Sequence, residues 1–179
     1  MPRVPLLARS TAPADCKAVF ERLESERRMP TPDIFRALAN APEQLNGLLT
    51  YSSSLRSADE LGKRYRELAI LAVAHQLGGE YIVAHHLADA VRAGLTPEQV
   101  AAVPQAEETS DTFEEADLAV MRLARLIANP GTELDGAWAL AARHLTDRQL
   151  VQLTLTTSWY VTGVLIEHAL GLNLEPEYT

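Results

Sequence analysis

The sequence predicts an all-α fold, a single-domain helical bundle of about eight helices. Three observations carry this. Apolar residues recur at helical spacing through nearly every segment. Helix-start motifs, a Thr followed three residues later by Gln or Glu, occur at Thr96/Gln99, Thr112/Glu115 and Thr146/Gln149. No segment shows strand alternation, a βαβ pattern or a Gly-rich phosphate loop, so no cofactor signature is present.

Residues 1–13 carry Pro2, Pro5 and Pro13 without periodicity and read as an extended arm. Val4, Leu6 and Leu7 could pack it against a neighbouring subunit. Residues 14–179 read as the helical domain. A first helix over 14–28 places Val19, Phe20 and Leu23 on one side and ends at Pro30 and Pro32. Thr31 is expected to cap a short helix with Ile34, Phe35 and Leu38. Pro42 suits a first helical position and opens a helix with Leu45, Leu48 and Leu49, followed by polar Ser52 to Ser54.

The first central helix is expected over 59–78. Leu68, Ile70, Leu71, Ala72, Val73, Ala74 and Leu77 make it apolar nearly all round, as in a helix buried on most sides. Gly78-Gly79 breaks it. A second central helix runs from Glu80 to Ala93, with Gly94 as its stop. Pro97 follows the Thr96 cap and starts a short helix that ends at Pro104. QAEETSDT, residues 105–112, is a polar loop. Helices then carry Leu118, Met121, Leu123 and Leu126, next Leu134, Trp138, Leu140 and Ala141, and last Leu150 through Leu170. Asn129-Pro130-Gly131 and Gly171 supply the stops.

Length and composition bound the class. The 179 residues suffice for one ordinary domain with a real core, and 47% are hydrophobic. Aromatics are only 6%, so Ala, Leu and Val fill most of the interior. The net charge of −8 argues against nucleic acid or an anionic membrane as partner. The densest basic cluster, Arg22, Arg27 and Arg28, is interleaved with Glu21, Glu24 and Glu26 and reads as a solvated face. One cysteine, Cys16, excludes an intrachain disulfide. No apolar run has the length of a signal peptide or membrane span, so the expectation is a cytoplasmic protein.

The residues able to do chemistry inside a core cluster in Arg64–Gly94. From spacing alone Glu67 has two readings. It is a surface carboxylate paired with Lys63 or Arg64, or a carboxylate at a buried site suited to proton transfer. His85 and His86 are adjacent and point ~100° apart on a helix, so one faces inward and the other elsewhere. Ile82 and His86 share one stripe with Gly79, while Tyr81 and His85 share another. Each histidine reads equally as a core residue bonded to backbone. A metal site is not expected, because His75, Glu80 and His86 do not follow zinc-ligand spacing. Ser52 to Ser54 lack a nucleophile motif. His144 and His168 lie near helix C-termini, where they suit the dipole. Trp138 and Trp159 read as core or interface aromatics.

Taken together, Arg64-x-Arg66-Glu67-Leu68, Glu80-Tyr81-x-x-Ala84-His85-His86 and Ala93-Gly94-Leu95-Thr96 resemble the carboxymuconolactone decarboxylase family, which includes alkylhydroperoxidase D-like proteins. Trp159-Tyr160 and Leu170-Gly171-Leu172-x-Leu174-Glu175 extend the resemblance, which covers about residues 33–179. Its peroxidase branch has Glu, eleven residues, Cys-x-x-Cys, three residues and His. On this chain the Glu falls on Glu67, the His on His86, and the cysteines on Gly79 and Ile82. Tyr81 stands where the family can carry a histidine between the cysteines.

The resemblance implies a carboxy-lyase acting by proton transfer on a small carboxylated or lactone substrate, as in aromatic-compound catabolism. Glu67 and His86 would be catalytic. Arg64, Arg66, Tyr81, His85 and Ile82 would bind substrate, with one of the arginines on its carboxylate. It also implies a homo-oligomer, a trimer or hexamer, with the arm as a possible exchange element. Two other readings are weighed beside this one. One is a non-catalytic ligand-binding or scaffold oligomer. The other is an antioxidant peroxidase, disfavoured because thiol peroxidase chemistry needs an attacking and a resolving thiol.

Overall fold

The structure, a computed structural model, describes residues 1–26, 30–57, 60–106 and 110–178. Arg27 and Arg28 of the basic cluster, residue 59 at the expected start of the first central helix, and residues 107–109 of the acidic loop lie outside these. The described residues form nine α-helices and three short 3₁₀ turns, with no strand among them. The all-α expectation holds. The chain divides into two compact units, one of Met1–Arg56 with Ile166–Thr179, the other of Ser57–Leu165.

The first unit contains α1 (Lys17–Glu26), α2 (Asp33–Leu38), α3 (Pro42–Ser57, up to Arg56) and the end of α9 (Asp147–Leu170). Its core joins Cys16, Val19, Phe20 and Leu23 to Ala39, Leu45 and Leu49. The N-terminal arm is bound to its own chain. Arg36 donates to the Leu6 and Leu7 carbonyls, and Asn40 Nδ2 donates to the Pro5 carbonyl at 2.8 Å. Arg3 reaches the carbonyls of His168 and Ala169, the orphan acceptors at the end of α9. The N-cap of α2 is Pro32, not Thr31. The side chain meeting this helix's first turn comes from far along the chain: Glu175 Oε1 accepts from Asp33 N–H at 2.8 Å.

The second unit holds α4 (Lys63–Leu77), α5 (Glu80–Arg92), α6 (Pro97–Ala102), α7 (Glu115–Ala128), α8 (Leu134–Ala141) and most of α9. Helix α4 is its centre and packs against α5 and α7. Residues Glu67 through Ala74 are all buried, which is the all-round burial expected of that apolar run. Each of Leu68, Ile70, Leu71 and Val73, once buried, contributes about 1.5–3 kcal/mol. The helix begins at Lys63 rather than 59 because Gly62 sits at φ +86°, outside helical space. It ends at Gly78, at φ +69° in the left-handed region, and Gly79 becomes the N-cap of α5.

Two of the three expected capping boxes form. Thr96 and Gln99 exchange both bonds at the start of α6, and Thr146 and Gln149 do so at α9. The third does not. Helix α7 starts at Glu115 with Glu114 as N-cap and no side-chain cap. Thr112 is held by α6 and the preceding loop instead, its carbonyl accepting from Gln99 Nε2 and its N–H donating to Ser110 Oγ. Trp138 is 40% exposed on α8 rather than in the core. No described helix is long and apolar enough to cross a membrane.

The Gly78 turn can be tested alone. A Cβ there meets nothing within 4 Å, so only backbone strain opposes it. Gly78→Ala is expected to lower unfolding free energy by about 1–2 kcal/mol, read by chemical denaturation.

Candidate functional site

Glu67 stands at the second turn of α4, where the helix passes from charged to fully apolar. Its side chain is 5% exposed, and a carboxylate at such a depth needs partners to offset lost hydration. The chief one is His86 on α5. Glu67 Oε2 and His86 Nδ1 are 2.7 Å apart, both buried. An ionised carboxylate can only accept, so Nδ1 carries the hydrogen of this bond. Nε2 is then the nitrogen that exchanges protons, the base of a neutral ring or the acid of an imidazolium. A carboxylate on Nδ1 both fixes the tautomer and stabilises the charged ring.

Arg66 joins the pair from the side. Its Nε lies 3.5 Å from Glu67 Oε1, and its side chain is 12% exposed. Tyr160 on α9 closes over His86, its ring perpendicular to the imidazole at a centroid distance of 4.9 Å. Ile82, one turn before His86, is buried, and its Cδ1 lies 3.5 Å from where a Cβ on Gly163 would stand. Helices α5 and α9 therefore meet along the stripe that runs from Ile82 to His86.

The two histidines part as their spacing requires. His86 turns inward to Glu67, while His85 is part-buried and stacks on Tyr81 with ring centroids 4.4 Å apart. The structure thus brings Glu67, His86 and Arg66 together, with Ile82 on the same stripe and Tyr81 and His85 on the next one.

Arg64 is placed elsewhere. Its Nε and one terminal nitrogen grip Asp117 of α7 at 3.0 and 2.6 Å, and its other donors reach the Gly94 carbonyl and Gln99 Oε1. Asp117 is almost wholly buried, and its hydrogen bonds hold the Arg64 guanidinium above the ordinary arginine range. Arg64 is a clamp between α4, α7 and the end of α5. Of the two arginines expected at the substrate carboxylate, only Arg66 touches the pair.

Sequence reasoning missed Asp117 and did not assign Tyr160 a role. Asp117 lies in the first turn of α7, where an acidic residue reads as a partner of the helix dipole. Its signal was its position on the same stripe as Val120, Met121 and Ala124, three, four and seven residues on. Among the described residues, no three His, Cys, Asp or Glu side chains converge as a metal would need.

Residues 42–126 match the model of the carboxymuconolactone decarboxylase family. This span contains α4, α5 and the Glu67–His86 pair. The fold is similar to the crystal structure of an alkylhydroperoxidase AhpD-core, uncharacterized peroxidase-related protein from Ralstonia eutropha JMP134. That match has TM-score 0.82 at 18% identity, over 99% of this chain and 94% of the other. It is also similar to an uncharacterized peroxidase-related protein from Silicibacter sp. TM1040, with TM-score 0.77 at 16% identity, over 98% and 92% of the two chains. No curated protein matches the sequence. The chain is thus similar to the carboxymuconolactone decarboxylase family over residues 42–126 and has an alkylhydroperoxidase D-like fold.

The clamp gives a separable test. Arg64→Ala leaves the Asp117 carboxylate buried and unpaired, which is expected to cost about 3 kcal/mol. Thermal unfolding should show a Tm fall of roughly 6–12 °C. A loss no larger than that of an exposed arginine would contradict the clamp.

Proposed function

We propose that the protein is a decarboxylase-like enzyme that moves a proton on a small carboxylated lactone, using Glu67 and His86 and no sulfur chemistry. The observation that carries this is the buried 2.7 Å contact between Glu67 Oε2 and His86 Nδ1. Arg66, in contact with Glu67, holds the substrate carboxylate, while Ile82, Tyr81 and His85 line the approach.

The chemistry follows from that arrangement. The bond between the ring carbon and the carboxylate breaks, and CO₂ leaves. The electron pair passes into an unsaturated lactone, where its carbonyl delocalises it. His86, protonated and steadied by Glu67, delivers the Nε2 proton to carbon and later regains one from water. Positioned acid–base groups of this kind contribute ~10²–10⁴-fold.

Peroxidase chemistry is not supported by the sulfur present. The pattern's two cysteine positions fall on Gly79 and Ile82. Cys16, the one thiol, is buried in the first unit and donates to the Ala39 carbonyl at 3.2 Å. Burial, and secondarily the neighbouring Asp15, pushes its pKa up, so it is held as the unreactive thiol.

Three measurements test the reading. Glu67→Gln and His86→Ala should each lower CO₂ release from an unsaturated carboxylated lactone by about 100-fold or more. Full activity in either variant removes the assignment. Cys16→Ser should leave that activity unchanged, and the native thiol should resist a thiol reagent until the protein is unfolded. Alkyl hydroperoxide turnover abolished by Cys16→Ser would overturn the exclusion.

A further inference from the structure

We propose that the hydroxyl of Thr157 is a further binding group of the Glu67–His86 site, hydrogen-bonding an oxygen of the bound molecule. That oxygen is a carbonyl or carboxylate oxygen of the substrate, with water in its place beforehand. The inference deepens the acid–base reading and rests on it for the substrate class.

Thr157 is completely buried, and its Oγ1 has no hydrogen-bond partner among the described residues. A buried hydroxyl without a partner carries its full desolvation penalty. Helices offer a ready remedy, a bond from the hydroxyl to the carbonyl four residues back. Helix α9 uses it repeatedly: Thr154 donates to Leu150, Ser158 to Thr154 and Thr162 to Ser158, at 2.9, 2.9 and 3.0 Å. Those three hydroxyls lie on the outer side of the helix, exposed or part-buried. Thr157, on the inner side, does not make the corresponding bond to Leu153. Valine has the same shape without the cost, so the hydroxyl calls for a polar partner that the described residues do not supply.

The register of α9 says where that partner lies. Tyr160 meets His86 and Gly163 meets Ile82, so the two helices run in opposite directions along this contact. Thr157 precedes Tyr160 by three residues on the same buried face, about one turn or ~5 Å along the axis. It therefore stands one turn beyond His86, on the side away from Ile82. A threonine hydroxyl can donate to a carboxylate or carbonyl oxygen and can both donate to and accept from water. It supplies an oxygen-binding group that Arg64, engaged with Asp117, does not.

The test uses the full chain with Thr157→Val and Thr157→Ser. Without ligand, a hydroxyl that holds a bound water makes Thr157→Val less stable, with a Tm roughly 2–4 °C below wild type. A bare unsatisfied hydroxyl makes the valine variant more stable, and a raised Tm overturns the proposal. The second measurement titrates γ-carboxy-γ-butyrolactone calorimetrically, as an unreactive probe of the substrate class. Thr157→Val should weaken its binding about tenfold, and Thr157→Ser should restore it to within about threefold. Unchanged affinity in the valine variant also overturns the proposal. If the probe binds wild type and His86→Ala equally, the acid–base reading fails while the unfolding comparison still judges Thr157. If the probe binds none of the proteins, the substrate class fails and the unfolding comparison again decides.

Discussion

A carboxylate inside an apolar helix is the constraint on which the second unit turns. Helix α4 is buried over eight consecutive residues, and Glu67 is the first of them. An ionised group there is tolerable only if another element brings hydrogen-bond donors to it. Helix α5 does so through His86. The Gly78–Gly79 break makes this possible, because a left-handed glycine reverses the chain at once and returns α5 beside α4. The contact is costly to form, and its product is an imidazole of fixed tautomer with a charge stabiliser behind it.

A second buried carboxylate does different work. Asp117 accepts two bonds from Arg64, which also reaches the end of α5 and the start of α6 through Gly94 and Gln99. This network ties the beginning of α4 to its neighbours and so fixes the turn on which Glu67 stands. Two arginines two residues apart thus have unlike tasks. The side chain of Arg66 meets the Glu67–His86 pair, and that of Arg64 secures the frame.

Sulfur is the clearest departure from the peroxidase pattern. Gly79 has become a helix cap and Ile82 a packing residue against Gly163. Neither position can form a thiolate, so the carboxylate–imidazole pair stands without sulfur beside it at those two positions. The buried Cys16 belongs to a separate core, where burial raises its pKa and disfavours the thiolate.

Much of the fold was legible in sequence because helices are local. Periodicity marked α4 and α9, Gly78, Gly94 and Gly171 marked the stops, and two capping boxes formed as written. The failures were also local patterns, outcompeted by distant partners. Thr31 yielded to Pro32, with Glu175 of the tail meeting the first turn of that helix, and Thr112 was held by Gln99. The sequence by itself determined the helical class, the Gly-Gly break and the absence of a thiol pair, since each follows from residue identity and spacing. Only tertiary structure decided that Glu67 faces His86 rather than Lys63 or Arg64, that Arg64 belongs to Asp117, and that Thr157 is buried without a partner among the described residues. Those outcomes depend on which helix faces come together, and side-chain pairing across helices is set by packing and desolvation rather than by spacing along one chain.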